Sequence, residues 1–172
     1  HITDMSWGRI GHPSEVLGAG QEVRVRILKV DAENGRVSLG LKQLTPDPWL
    51  AIPQRHPVGS RVRGKVVNVT DYGAFVEIEP GVEGLLHVSE MSWSRKIKHP
   101  NKILSPGNEV EAVVLGMDID GRRISLGMKQ LMENPWEKLG QEYAMGARVR
   151  GKIQNVTDFG VFVGVTPEID GL

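Results

Sequence analysis

Apolar and polar residues alternate strictly from Ala74 to Ile78. Ala74, Val76 and Ile78 fall on one side and Phe75 and Glu77 on the other, the period of a half-buried β-strand. The same period runs through Arg61 to Val66, where valines alternate with basic residues, and through Ile124, Leu126 and Met128. Gly107 to Met117 is valine-rich and reads as another strand, with Asp120 and Gly121 supplying the hairpin turn that follows it. In the third strand Leu86 and Val88 point inward, which puts His87 on the opposite face.

This pattern is written more than once. Laying Val58 to Ile78 over Met145 to Val165 matches 13 of 21 positions at a constant offset of 87. His1 to Trp7 reappears as His87 to Trp93, Gly20 to Val30 matches Gly107 to Met117, and Val37, Leu39 and Leu41 match Ile124, Leu126 and Met128. Such self-similarity predicts a repeat protein. The frame assigns residues 1–44 to the C-terminal part of a first module and 45–56 to a linker. Residues 57–132 form a complete module, 133–144 a second linker and 145–172 the N-terminal part of a third. The chain starts inside a module and is expected to be a piece of a longer protein.

The complete module has five short strands with one short helical segment between the third and fourth, capped by Asn101, or by Ser14 in the first copy. That order predicts an all-β architecture of tandem OB-fold barrels. An SH3-like barrel is the competitor, and the long insertion from Met91 to Pro106 favours the OB-fold. Each module ends in Lys-Gln-Leu followed by a capping residue, a proline and a tryptophan: Asp47, Pro48 and Trp49, then Asn134, Pro135 and Trp136. A short linker helix is predicted at each site. Trp49 and Trp136 are expected to pack that helix on the barrel, with base stacking as the alternative.

Composition narrows the function classes. The 21 basic and 21 acidic residues balance, so any polyanion site must be local. The absence of cysteine excludes a disulfide framework and a thiolate metal site and fits a reducing cytosol. No apolar run approaches a membrane span. Glycine-rich phosphate loops and nucleophile elbows are missing, and the histidines are not spaced as metal ligands. Asp118 to Gly121 has the start of a calcium loop, but Lys129 occupies the position of the later acidic ligand. Neither enzyme chemistry, a cofactor nor a metal is implied.

Candidate binding chemistry gathers on the outer face. Phe75 is an aromatic on the charged side of its strand, and it recurs as Phe162. Tyr72 stands three residues earlier, and Gly73 permits a bulge or bend that would bring both rings to one face. In the next copy the tyrosine is Phe159, so a shared role for the position needs the flat ring rather than the hydroxyl. His87, repeated as His1, is outward by parity. At the last hairpin Asp118, Arg122 and Arg123 correspond to Asp31 and Arg36 within a one-residue ambiguity. In an OB barrel these groups converge, and Lys65 on the first strand adds a cation next to them. Rings that stack on bases, together with cations that neutralise phosphates, suit single-stranded RNA. Arg95, Lys96, Lys98 and Lys102 form a second basic cluster that a solvated helical face explains nearly as well.

Three segments carry a resemblance to a known family: Asp-Tyr-Gly-Ala-Phe-Val (71–76), Glu-Gly-Leu-Leu-His-Val-Ser (83–89) and Arg-Ile-Ser-Leu-Gly-Met-Lys (123–129). The whole chain resembles the S-one-type RNA-binding domains first recognised in the bacterial small ribosomal subunit. Its tandem copies, joined through Lys-Gln-Leu and Asp-Pro-Trp, look like central repeats of the ribosomal branch. The resemblance implies a non-catalytic, cytoplasmic role that holds messenger RNA near the 30S subunit and loosens its structure during initiation. It implies an RNA face of Tyr72, Phe75, His87, Asp118 and Arg122 in the middle module. The flanking modules hold His1, Asp31 and Arg36 in front and Phe159 and Phe162 behind. An accessory module of a ribonuclease and a protein-docking module are the alternatives. Because residues 145–172 and 1–44 are complementary in the repeat frame, the two ends are also expected to complete a composite barrel, in cis or in trans.

Overall fold

The computed structural model describes residues 1–94 and 96–172. Arg95, one of the second basic cluster, lies outside them. The first module contributes a hairpin of β1 (Arg26–Asp31) and β2 (Arg36–Gly40). The middle module contributes β3 (Arg61–Val69), β4 (Gly73–Glu79), β5 (Val82–His87), β6 (Glu109–Asp118) and β7 (Arg123–Gly127). The third contributes β8 (Lys152–Thr157), β9 (Gly160–Gly164) and β10 (Asp170–Gly171).

The middle strands close into a barrel in the order β3-β4-β5-β7-β6, with β6 returning to β3. All pairings are antiparallel except β5 with β7. This is the five-stranded, edge-free arrangement of an OB barrel. Its first strand serves two partners: Lys65 to Val69 pair with β4, and Arg61 to Lys65 pair with β6. Gly64 sits where the strand changes partner, and a Cβ there would lie 2.6 Å from Glu77 O. Gly151 repeats the constraint against Gly164 O in the third module.

Inward positions fill the barrel. Val66, Val76, Leu86, Val114, Ile124 and Leu126 are almost wholly buried. Between β5 and β6 the chain forms two 3-10 turns, Val88–Glu90 and Pro100–Lys102, rather than the single predicted segment. Neither Ser14 nor Asn101 caps. In the first module His12 caps the turn Pro13–Glu15 and forms a capping box with Glu15. The middle module has His99 at that position, with no side-chain hydrogen bond to the turn. An imidazole placed before the proline accepts from Ser14 N (3.2 Å), and Glu15 answers to His12 N (3.0 Å).

Both linkers start as predicted. Asp47 Oδ1 accepts from Trp49 N (3.0 Å) and Asn134 Oδ1 accepts from Trp136 N (3.0 Å). The first linker is a 3-10 turn, Pro48–Leu50, followed by α1 (Ile52–Arg55); the second is α2 (Pro135–Glu142). Trp49 and Ile52 join the barrel's core. Trp136 remains 47 % exposed, against the packing expectation, because the third module supplies three strands and no closed barrel to receive it.

The flanking modules show what the barrel adds. Gly20 to Val30 was expected to be one strand, yet β1 begins at Arg26. In the middle module residues 109 to 113, the equivalents of 22 to 26, pair with Arg61 to Lys65, a partner that β1 lacks. Among the described residues the β1–β2 hairpin and the β10-β9-β8 sheet are separate sheets.

Candidate nucleic-acid interface

The candidate face is the outside of β4, β5 and β7. Register places Phe75 opposite Leu85 and Leu85 opposite Ser125, a row crossing three strands. Two residues along, Gly73 lies opposite His87. The chain turns sharply just before β4: Thr70 N donates to Gly73 O (2.8 Å), and the Thr70 hydroxyl donates to the same oxygen (3.1 Å). Val88 N then donates to Tyr72 O (2.9 Å), tying this turn to the end of β5.

The result is a pair of rings on one face. Tyr72 and Phe75 meet edge to face with centroids 6.4 Å apart and planes at 85°. The bend that brings them together is at Asp71 and Tyr72, before β4 begins. Gly73 is required by close approach: a Cβ would lie 2.6 Å from Leu86 O and 3.1 Å from His87 Cα. The third module repeats the arrangement, with Phe159 and Phe162 at 6.3 Å and 90° and Thr157 bonded to Gly160 O. Tyr72 is 50 % exposed, while Phe75 is half-buried.

The rings open onto a depression of about 380 Å³ lined by Tyr72, Phe75, Glu83, Leu85, Ser125 and the two arginines, Arg122 and Arg123. Leu85, Glu83 and Ser125 escaped the sequence reading. Leu85 and Glu83 share the parity of His87 on their strand, and that signal was sufficient to find them. The floor is therefore partly aliphatic. Its lining carries both cations and a carboxylate.

The remaining candidates divide. His87 is exposed at the edge of the face, with Nδ1 accepting from Ser89 N (3.2 Å) in the cap of the following turn. His1 caps its own turn in the same way, accepting from Thr3 N (3.3 Å). Neither Nε2 has a hydrogen bond among the described residues. Asp118 closes the hairpin by accepting from Gly121 N (3.0 Å) and does not line the depression. Asp31 does the equivalent work, accepting from Asn34 N (3.2 Å) and Asn34 Nδ2 (2.9 Å). Those hydrogen bonds hold the Asp31 carboxyl below its ordinary value. Lys65 does not line the depression and has Glu77 opposite it on one neighbouring strand and Glu109 on the other.

Register resolves the hairpin alignment. Asp31 lies opposite Arg36 and Asp118 lies opposite Arg123, so Arg36 and Arg123 are equivalent. Arg122 then takes the place of Gly35. It has a positive φ of 51°, as Gly35 has at 61°. Its side chain reaches the linker, where Nη2 donates to Asp47 Oδ2 (2.6 Å), and its Cζ lies 5.1 Å from the Trp7 ring centroid.

Trp7 belongs to a junction that the sequence reading did not foresee. Its Nε1 donates to Thr45 O (3.3 Å), and Lys42 Nζ lies 4.8 Å from its ring. The backbone at Trp7 and Gly8 presses against the turn before β5, so closely that a Cβ on Gly81 would lie 3.2 Å from Gly8 N. At the next junction Lys96 donates to Pro167 O (3.5 Å) and faces Asp170 at 3.5 Å, using the corresponding turn of the third module. Lys96 is therefore exposed and at the same time in contact with the third module. Among the described residues no group of three or more His, Asp or Glu gathers in a way that could hold a metal ion. Among the described residues no helix is long and apolar enough to cross a membrane.

Known proteins are similar to this chain over its full length. The chain is 52 % identical over its full length to the small ribosomal subunit protein bS1 of Rhizobium meliloti (strain 1021), 55 % to that of Pseudomonas aeruginosa and 56 % to that of Neisseria meningitidis serogroup B. It spans 30–31 % of the length of these relatives. The family described as the S1 RNA binding domain matches residues 1–42 and 55–129, covering the first hairpin and the entire closed barrel. With that match over most of its length, and with the barrel order and the repeated ring pair on its surface, the chain belongs to the S1 RNA-binding domain family.

Proposed function

We propose that this chain binds single-stranded RNA without catalysing a reaction on it, and that it serves messenger RNA at the 30S ribosomal subunit during translation initiation, in the cytoplasm. The observation that carries the reading is the ring pair of Tyr72 and Phe75 beside Arg123 on one face of the closed barrel, repeated as Phe159 and Phe162 in the third module. Unpaired bases stack on rings of any sequence context, and a nearby guanidinium neutralises phosphate. The balanced net charge leaves affinity to this local face.

In this reading Tyr72 and Phe75 stack bases, His87 borders them, and Arg123 contacts phosphate. Asp118 and Asp31 shape their hairpins, Arg36 and His1 act in the first module, and Phe159 and Phe162 act in the third. Lys65 adds a weaker cation, offset by its glutamate neighbours. The binding units divide at linkers 45–56 and 133–144. The relatives are ribosomal, which supports the subunit assignment.

Titrating a short oligouridine into the labelled chain tests this directly. Shifts are expected to centre on Tyr72, Phe75, Leu85 and Arg123, and an even spread of small shifts, or none, would overturn it. The apolar faces that β1 and β8 leave exposed, Ile27 at 64 % and Ile153 at 67 %, also support a composite module formed between two chains. Sedimentation across a concentration series checks that part, and a monomer throughout would exclude it.

A further inference from the structure

Arg122 is the one non-glycine with positive φ among the described residues. L side chains enter that region at a cost, and an isolated outlier directs attention to what the side chain does. The first module has Gly35 in the same turn position, so the hairpin itself does not call for arginine.

Two environments meet at this guanidinium. On one side it lines the depression beside Tyr72 and Phe75. On the other it donates to Asp47 Oδ2 at 2.6 Å and lies over Trp7 at 5.1 Å. Asp47 divides its carboxylate, with Oδ1 capping the linker turn at Trp49 N and Oδ2 holding Arg122. In the second linker Asn134 keeps the capping bond and carries no charge. The cap therefore needs only an amide oxygen, and the carboxylate at position 47 is additional to it. The ion pair is also accessible, with the Arg122 side chain 43 % exposed.

We propose that Asp47 is an internal competitor for RNA phosphate: it occupies Arg122 in the free chain, and RNA entering the depression draws Arg122 away from the linker. This rests on the RNA-binding reading of the same face. A phosphate and a carboxylate are alternative partners for one planar, always charged fork. RNA occupancy of the middle barrel is thereby linked to loss of a contact that holds the first module's Trp7 against it. The linkage is reciprocal.

The test is a double-mutant cycle on the whole chain, read as oligouridine affinity at fixed low salt. Asp47→Asn preserves the cap, as Asn134 does, and is expected to raise affinity about 2- to 5-fold, the range of an exposed ion pair. Arg122→Gly, which restores the residue of the first module and relieves the backbone, is expected to weaken binding by a similar factor. In the Arg122→Gly background, Asp47→Asn is expected to change nothing. If Asp47→Asn still raises affinity there, the effect is ordinary charge removal near a polyanion, and the competition is overturned. An Arg122 Nε resonance that stays unmoved when oligouridine is added to the unmodified chain overturns it as well. Phe75→Ala separates the two levels: if it weakens binding by roughly 5- to 150-fold while the cycle shows no coupling, only the competition fails, and if it leaves affinity unchanged, the RNA-binding reading fails too.

Discussion

Tyr72 and Phe75 meet edge to face at 6.4 Å, and Phe159 and Phe162 repeat that geometry at 6.3 Å with one hydroxyl fewer. A relationship kept through the loss of the hydroxyl belongs to the rings. Tyr72→Phe is therefore expected to leave oligouridine affinity within about 2-fold. Phe75→Ala removes a stacking platform worth about 1–3 kcal/mol per base, so affinity should fall roughly 5- to 150-fold. Fluorescence anisotropy with labelled oligouridine measures both.

Arg123 and Lys65 are both cations near the face, but only Arg123 lines the depression. For a single strand, each phosphate contact adds about 0.7 to the slope of log affinity against log salt. Arg123→Gln should reduce the slope by about that amount. Lys65→Gln should reduce it less, since Glu77 and Glu109 flank Lys65 across the sheet.

Gly73 leaves no room for a side chain, because a Cβ would fall 2.6 Å from the carbonyl of Leu86. Gly73→Ala must push β4 from β5 and is expected to cost about 1–3 kcal/mol of stability. Gly116 has open space around its missing Cβ, and Gly116→Ala should not show that penalty. Urea unfolding followed by tryptophan fluorescence compares the two.

The Asp31 carboxyl is held below its ordinary value of 3.8, first by the Asn34 side chain and then by the Asn34 backbone. A carboxyl lowered in the folded chain stabilises the turn fully above its unfolded value, and that contribution is lost as pH falls through the folded value. Asn34→Ala should return the titration toward 3.8 and move loss of hairpin order to higher pH. Carboxyl chemical shifts across an acid titration follow the change.

Leu126 and Leu39 occupy the same repeat position, yet one is 1 % exposed and the other 45 %. Leu126→Ala should destabilise the barrel by about 2–5 kcal/mol, while Leu39→Ala should cost much less in this chain. The same urea experiment distinguishes them.

Much of the face was legible before any coordinates. Strand parity placed Phe75 and His87 outward, the repeat paired each ring with its counterpart, and the strand order with its insertion pointed to an OB barrel. Leu85 was equally accessible by parity. Arg122 and Arg123 were both legible at the last hairpin, but a turn lets the alignment slide by one residue, and only the pairing of Asp118 with Arg123 fixes the register. The contact of Arg122 with Asp47 spans 75 residues, a separation that no local pattern encodes.

The amino-acid sequence alone determined the repeat, the alternation of each strand, the capping residues of the linkers and the absence of a thiolate site. Those properties are local, set by side-chain period and by backbone chemistry within a few residues. Tertiary structure decided which of these segments became full strands and which apolar positions became core. Residues 109–113 lie in β6 because Arg61 to Lys65 pair with them, whereas the equivalent stretch of the first module, 22–26, enters a strand only at Arg26. Val114 is 0 % exposed and Ile27, its counterpart, 64 %. Burial requires a partner on the other side of the barrel, and a repeated sequence cannot specify whether that partner is there.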